Sequence, residues 1–400
     1  MKRLMNLSYG AIQGTYWMYF GAIMSFASVF LLGKNYTNSE IGVILAAASI
    51  LAVFLQPLLA DAADKSQKAS LTGITGIIVI GLFIATLTLY IFPTKSLFLS
   101  IIFVLLGAWL TSLQPIINSM AFYLSRSGHV INFGVTRSGG SVAYAVLCLI
   151  LGSLVADYGI QTIPAIGMGI LILLLLCLLA TDKFYKRAIS INTIDPNIKK
   201  VTQGSETISL KAFITRNKIF LVFTIGIVLV FFQNSVLNTY LMQIITAVGG
   251  NSSQMGRLFF FMALLELPGL FFFSQIRKRF SCQFLLKVAS VAFVFKVFLT
   301  YMAPSVGFIY LAFLFQLISF PIFLSASVYL VDEVMEKGEA VKGQSFITGM
   351  ITLSNVFASL LGGVILDLSG ASLLLLISTM LAVIGTGVVI FSVGRIKPKE

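Results

Sequence analysis

Residues 41–60 read IGVILAAASILAVFLQPLLA, a stretch of 20 residues without one charged side chain. As an α-helix, such a stretch extends about 30 Å, which is the thickness of the hydrocarbon core of a bilayer. The whole chain has a matching composition, since 58% of its 400 residues are hydrophobic and 10% are charged. Soluble domains carry about 25% charged residues. The composition therefore excludes a water-soluble enzyme.

Eleven further segments are predominantly apolar and at least as long as residues 41–60. Each is expected to form a transmembrane helix, because lipid offers no hydrogen-bond partner to a free backbone amide. The twelve spans are 9–32, 41–60, 70–92, 99–124, 134–156, 162–181, 218–248, 254–275, 283–302, 306–334, 343–366 and 371–393. Between the sixth and seventh, the polar residues 182–209 predict a cytoplasmic linker that joins residues 1–181 to residues 210–400.

The positive charges predict how these helices are oriented. An even number of spans puts both termini on one side, and that side holds 22 of the 27 Lys and Arg residues. Only Lys34 and Lys95 lie in the opposite loops. The positive-inside rule then predicts a multi-pass protein of the cell's inner, cytoplasmic membrane with both termini in the cytoplasm. Because the net charge of +13 is explained by this orientation, no nucleic-acid partner is expected.

Three short patterns recur in the same order, separated by 206 to 214 residues. The pairs are NSEIG at 38–42 with SSQMG at 252–256, PI at 115–116 with PI at 321–322, and LGS at 151–153 with LGG at 361–363. They predict an all-α membrane protein with two six-helix bundles in parallel repeat, the architecture of major facilitator transporters. In that fold, two rigid bundles rock about a site between them.

The second span continues into a more specific pattern. Residues 41–47, residues 56–58 (QPL) and the pair Asp64 and Lys65 resemble the oligosaccharide–proton symporter branch of the major facilitator superfamily, typified by lactose permease. In that branch, the second span leads into an inner-loop motif of glycine, acidic and basic residues. The resemblance implies that Asp64 and Lys65 take part in gating, although two of the motif's glycines are replaced here.

The fifth span carries a second part of the resemblance. Residues 133–137 (FGVTR) are similar to the family segment whose arginine binds sugar, which implies that Arg137 is a substrate ligand. Tyr144 occupies the position of the family's stacking tryptophan. Asn118 replaces a sugar-binding glutamate, and because an amide cannot form an ion pair with Arg137, galactoside specificity is in doubt. Trp17 in the first span is also predicted to bind substrate. For Arg137 the alternative is a side chain that snorkels to the membrane surface, and for Tyr144 and Trp17 it is ordinary packing of the aromatic rings.

The spans of the second half contain a possible proton carrier. Glu266 is the only carboxylate deep in a predicted span, where a charge costs about 2.5–3.5 kcal/mol. Lys296 is its natural partner and aligns with the family's coupling arginine. The alternative is a static ion pair that fixes helix packing. The family's coupling histidine and glutamate align with Gln316 and Ser319, so facilitated diffusion or exchange is a further alternative.

Four amide residues of the second half are predicted to bind substrate. Gln316 is one, and Gln233, Asn234 and Asn238 of the seventh span are the others, because amides at this depth can bond to hydroxyl groups. Hydrogen bonding between helices is the alternative explanation. No metal site or cofactor is expected, since there is one histidine and the three cysteines lack metal-ligand spacing.

These features predict a secondary transporter for a sugar, oligosaccharide or similar small polar solute, coupled to protons and working by alternating access. We expect a monomer and no enzymatic activity. One alternative is an exporter of drugs or other small molecules with the same fold. Another, of a different class, is a membrane receptor or scaffold without a transport cycle.

Overall fold

The computed structural model describes residues 2–65, 71–125, 131–191, 210–336 and 339–396. Regular secondary structure in these ranges is helical throughout. The first seven helices are α1 (Lys2–Phe20), α2 (Ala27–Gly33), α3 (Asn38–Lys65), α4 (Leu71–Ile91), α5 (Leu97–Ser125), α6 (Phe133–Tyr158) and α7 (Thr162–Ile191). The others are α8 (Leu210–Arg216), α9 (Lys218–Thr239), α10 (Leu241–Ala247), α11 (Ser252–Phe271), α12 (Phe273–Arg277), α13 (Cys282–Tyr301), α14 (Val306–Phe313), α15 (Phe320–Val334) and α16 (Ala340–Val393).

The helices agree with the predicted membrane-spanning fold. Within the described ranges, ten helical segments are long and apolar enough to cross a bilayer, and the bent pair α1 and α2 makes an eleventh. The last segment, α16, has 54 residues and contains Gly370 at φ 75°, a conformation that favours glycine. Gly370 divides it into two halves of spanning length, so the predicted all-α membrane fold is confirmed.

The chain divides into two compact units. The N-terminal unit comprises Met1–Lys200 together with Ser252–Phe260. The C-terminal unit comprises Val201–Asn251 together with Phe261–Glu400. The start of α11 thus groups with the N-terminal unit, while the rest of that helix belongs to the C-terminal unit. Most of the predicted linker 182–209 lies outside the described residues.

A close helix contact in the N-terminal unit explains this grouping. A Cβ atom on Gly152 of α6 would lie 2.6 Å from the carbonyl oxygen of Ser252, and one on Gly256 would collide with the carbonyl of Cys148. The hydroxyls of Ser153 and Ser253 are 3.2 Å apart. Small residues allow backbones to approach in this way. Gly152 therefore packs directly against the backbone at the start of α11.

Four spans that the sequence predicts as continuous helices are interrupted: 218–248 breaks between α9 and α10, 254–275 breaks between α11 and α12, and the other two contain turns of a different helical geometry. Gly21–Ser25 forms a π-helical turn between α1 and α2, and Leu314–Leu317 forms a 3₁₀ turn before α15. The prediction of unbroken helices over these four spans, which include 9–32 and 306–334, is wrong in this respect. Pro321 at the start of α15 lacks the amide that would continue a helix from the preceding turn. Such interruptions often mark functional positions.

Aromatic rings fill the core of the C-terminal unit. Phe231 of α9 lies 5.4 Å from Phe293 of α13 and 5.2 Å from Phe323 of α15, measured between ring centroids. Phe293 and Phe323 are 6.0 Å apart, and all three side chains are at most 1% exposed. This cluster holds α9, α13 and α15 together one turn from Lys296.

Candidate functional site

Lys296 lies in the second half of α13, and its side chain is fully buried. Its Nζ donates to Oε1 of Gln316 at 2.8 Å and to Oδ1 of Asn234 at 3.1 Å. The rings of Phe293 and Phe313 lie 5.2 and 5.7 Å from Nζ, within the range of cation–π attraction. An ammonium group this deep in a membrane helix needs such partners.

Gln316 links Lys296 to Glu266. While its Oε1 accepts from Lys296, its Nε2 donates to Oε1 of Glu266 at 2.7 Å. The side chain is 1% exposed and comes from the 3₁₀ turn Leu314–Leu317. The sequence predicts Glu266 and Lys296 as partners, and the structure brings them together through one amide. We call the hydrogen-bonded chain Lys296–Gln316–Glu266 the relay.

The predicted amides of α9 occupy different environments. Asn234 contacts the relay because its Oδ1 accepts a hydrogen bond from Nζ of Lys296. Asn238 is exposed, and its Nδ2 donates to the carbonyl oxygen of Asn234 at 2.9 Å. Gln233 is fully buried, and neither its Oε1 nor its Nε2 has a hydrogen-bond partner among the described residues. A buried amide that leaves both groups unsatisfied is rare and costly in a folded protein.

The N-terminal unit holds the predicted arginine against an aromatic ring. The guanidinium of Arg137 lies 4.0 Å from the ring centroid of Trp17, and its Nη1 donates to Oγ of Ser141 at 3.1 Å. Asn132 caps the start of α6 by accepting from the amide of Val135. One turn after Arg137, a Cβ on Gly140 would lie 2.7 Å from Trp17, so glycine leaves the space that the indole occupies.

A second polar group in the same unit contains Gln13, which together with Trp17 belongs to a stripe of polar and aromatic residues in the first span that suits a polar, ring-bearing substrate. Its Nε2 donates to Oη of Tyr9 at 2.7 Å and to Oδ1 of Asn118 at 3.2 Å. The Oε1 of Gln13 and the Nε1 of Trp17 are buried without a hydrogen-bond partner among the described residues. Gln13 stands four residues from both Tyr9 and Trp17, so the three side chains share one helix face.

Tyr144 packs against the π-helical turn of the first span. Its Oη shares a hydrogen bond of 2.8 Å with Oγ of Ser25, and its ring would lie 2.9 Å from a Cβ on Gly21. The absence of a side chain at Gly21 makes room for the ring. The structure therefore shows Tyr144 in a packing contact and leaves its predicted stacking on substrate as a prediction.

Ion pairs cluster at the end of the C-terminal unit where α13 begins. Arg277 donates to Oε1 of Glu333 at 2.8 Å, and Arg216 pairs with Glu336. The hydrogen bond to Glu333 raises the pKa of Arg277 above its ordinary value. Arg277 also lies 4.2 Å from the ring centroid of Tyr329. These partly exposed pairs contribute little to stability individually.

The comparison with family models decides the family. A family model described as the MFS_1 like family matches residues 9–377. The chain belongs to this family. It is also 25% identical over 407 residues to the uncharacterized transporter YwbF of Bacillus subtilis (strain 168), covering 98% of this chain and 95% of that protein. A member of the MFS_1 like family is a transporter of the major facilitator type.

Solved structures of other transporters share the fold. The nucleoside transporter NupG superimposes with a TM-score of 0.78 at 14% identity, covering 99% of this chain and all of NupG. A bacterial homolog of the human lysosomal transporter Spinster, inward-facing and unoccupied, gives a TM-score of 0.70 at 13% identity over 99% of this chain and 97% of the other. At such identities the likeness shows the fold alone.

Some predicted site residues of this MFS_1 like transporter are not placed by the structure. The side chains of Asp64 and Lys65 lie outside the described residues, so their gating role stays a prediction. Among the residues that the structure does describe, no group of three or more His, Cys, Asp or Glu is arranged to hold a metal ion. Each unit thus holds its own group of candidate site residues: the relay lies in the C-terminal unit, and the Arg137–Trp17 pair with Gln13 and Asn118 lies in the N-terminal unit.

Proposed function

We propose that this transporter moves a small polar solute, a sugar or oligosaccharide, across the cytoplasmic membrane together with protons. The observation that carries the proposal is the relay. A fully buried lysine linked to a carboxyl group inside a membrane-spanning unit carries a high desolvation free energy. Such residues commonly belong to ion or substrate pathways. The positive-inside asymmetry of the sequence supports a cytoplasmic location for both termini.

Glu266 is the proton carrier in this proposal. When its carboxyl group is ionised, Oε1 accepts a strong hydrogen bond from Gln316, whose own Oε1 accepts from Lys296. Protonation of Glu266 removes its charge and weakens that acceptor. An amide does not itself conduct protons, so Gln316 transmits the change as an altered hydrogen bond to Lys296. The hydrogen bond between Gln316 and Lys296 thereby depends on the charge of Glu266.

The solute would be held by charged, aromatic and amide groups. Arg137 can donate paired hydrogen bonds to neighbouring hydroxyls or to a carboxylate. The Nε1 of Trp17 and the Oε1 of Gln13 have no hydrogen-bond partner within the described ranges and are the groups that would bond to the solute. Such a mixture of donors, acceptors and apolar surface is typical of small-molecule sites. It fits a ring-shaped solute with several hydroxyl groups, and we propose alternating access as the way the solute crosses.

Nucleosides are a second candidate class. Gln233 is buried, and neither its donor nor its acceptor has a partner in the part of the chain that the structure describes. One amide side chain can pair with the edge of a nucleobase through both groups. The structural neighbour NupG is a nucleoside transporter. Sugars and nucleosides share a polyhydroxylated ring, so only binding measurements separate these classes.

Binding of a solute panel to purified protein tests the proposal. We expect a mono- or oligosaccharide to bind, and we expect Arg137→Ala to weaken that binding about 10- to 100-fold, because a hydrogen bond to a charged group contributes about 1.5–3 kcal/mol. The panel contains sugars, nucleosides, aromatic acids and cationic drugs, measured by isothermal titration calorimetry. A nucleoside as the best ligand would favour the second class.

Arg257→Ala is the matched control for this experiment. Arg257 is also an arginine that donates to a serine four residues away on its own helix, at 3.1 Å to Oγ of Ser253, and it is exposed. Its replacement should leave affinity unchanged. Binding of cationic drugs but not of sugars or nucleosides, with no effect of Arg137→Ala, would instead indicate a drug exporter.

A further inference from the structure

An apolar groove runs along the outer surface of the C-terminal unit between α13 and the interrupted tenth span. Its volume is about 350 Å³, near the lower end of the range of small-molecule sites. Val288, Val291 and Phe295 of α13 form one wall, and Phe315 and Ile318 form the other. Four of these five side chains are 36% or more exposed. In a bilayer, such a surface faces lipid chains.

The interruption of the tenth span creates the groove. α14 ends at Phe313, the next turn is 3₁₀, and Ser319 has φ −90° and ψ −84°, outside the helical range. The chain therefore leaves the path of a straight helix beside α13. The rings of Phe295 and Phe315 stack at 5.6 Å between centroids and 19° between planes. They close the groove at the end away from the start of α13.

The other end of the groove carries a positive charge. Lys287, in the second turn of α13, is the one charged residue among the lining side chains and is partly exposed. Its Nζ lies 3.5 Å from where a Cβ of Gly394 would be, so it stands beside the end of α16. Arg395 follows directly, its guanidinium 3.7 Å from the ring centroid of Phe391. Lys287 and Phe295 are separated by eight residues, about 12 Å along the helix.

We propose that this groove binds one anionic phospholipid, with an acyl chain lying along Val288, Val291 and Phe295 and the phosphate against Lys287. An acyl chain matches a wall without hydrogen-bonding groups, whereas a polar solute would leave its own groups unpaired there. A zwitterionic lipid would bind less tightly, because each basic residue near the membrane surface attracts anionic headgroups by about 1 kcal/mol. The inference is independent of the proposed proton coupling, since none of these residues belongs to the relay.

Lipid binding to the purified full-length chain tests the groove. The probes are phosphatidylglycerol and phosphatidylcholine with identical palmitoyl and oleoyl chains, and retained lipid is counted by native mass spectrometry. We expect phosphatidylglycerol to be retained preferentially, and we expect Lys287→Gln to weaken its binding about fivefold and remove the preference. Val291→Trp, which fills the groove, should lower the retention of phosphatidylglycerol without changing the charge.

Lys278→Gln is the control for charge, because Lys278 is exposed beyond α12 and does not line the groove. Its replacement should leave the preference intact. Equal retention of both lipids by the wild-type protein, or an undiminished preference in Lys287→Gln, would overturn the proposal. So would full competition by inorganic phosphate, since a bare phosphate site needs no acyl chain. Thermal unfolding of each variant without lipid verifies that the fold is intact.

Discussion

Glu266→Gln is expected to abolish uphill, pH-driven uptake of the solute while exchange of solute across the membrane continues. The substituted amide has the size of the carboxyl group and still offers an oxygen to Nε2 of Gln316. It has no titratable proton, so the relay would be fixed in one charge state. Lys296 loses the compensating charge of Glu266 but keeps its two amide acceptors, Gln316 and Asn234, so the unit should be less stable yet remain folded.

Proteoliposomes distinguish these two activities. Uphill uptake is measured as accumulation of the labelled solute under an imposed pH gradient, and exchange is measured as counterflow without a gradient. Glu333→Gln is the matched control, because Glu333 also belongs to the C-terminal unit but pairs with Arg277 rather than with the relay. Normal accumulation by Glu266→Gln would show that Glu266 does not carry the proton. Loss of counterflow as well would point to a structural defect.

Much of the fold follows from the sequence because hydropathy and charge act on whole segments. A run of 20 apolar residues is long enough to span a bilayer wherever it occurs, and the excess of lysine and arginine in alternate loops orients it. The helix interruptions do not follow in this way. The turn Leu314–Leu317 reads LFQL and Gly21–Ser25 reads GAIMS, and both are as apolar as the helices around them. Their departure from α-helical geometry depends on what each turn packs against.

For the candidate site as well, the sequence predicts which residues take part but not which atoms they contact. The resemblance to the symporter branch places Gln316 at a coupling position, whereas we predict Gln316 to be a substrate ligand because it is an amide within a span. The actual contacts of its amide depend on the side-chain torsions that direct it to Lys296 and Glu266. Likewise, the stacking of Arg137 on Trp17 depends on the missing side chain at Gly140, a contact between two helices that are distant in sequence. Spacing along one helix predicts a shared face, but it does not identify the neighbouring helix.

Lys296→Met is expected to destabilise the C-terminal unit and to abolish uphill uptake. Methionine fills a similar volume without a charge, so Gln316 and Asn234 lose their common donor and Glu266 loses its compensating charge. Removal of one partner from a buried charge pair costs about 3–5 kcal/mol while the other stays ionised. Glu266 can avoid that cost by remaining protonated, but a carboxyl group that never releases its proton cannot couple transport. Both consequences lower activity.

The double variant Lys296→Met with Glu266→Gln separates a coupling role from a static one. It contains no uncompensated charge, so its thermal stability should recover most of what Lys296→Met loses, measured by unfolding in detergent. Uphill uptake should nevertheless stay absent, because no titratable group is left in the relay. If the ion pair is only structural, the double variant should regain accumulation of the solute together with its stability. Recovery of uphill uptake in the double variant would therefore assign the pair a purely structural role, whereas stable protein that exchanges solute without accumulating it would identify the relay as the coupling element.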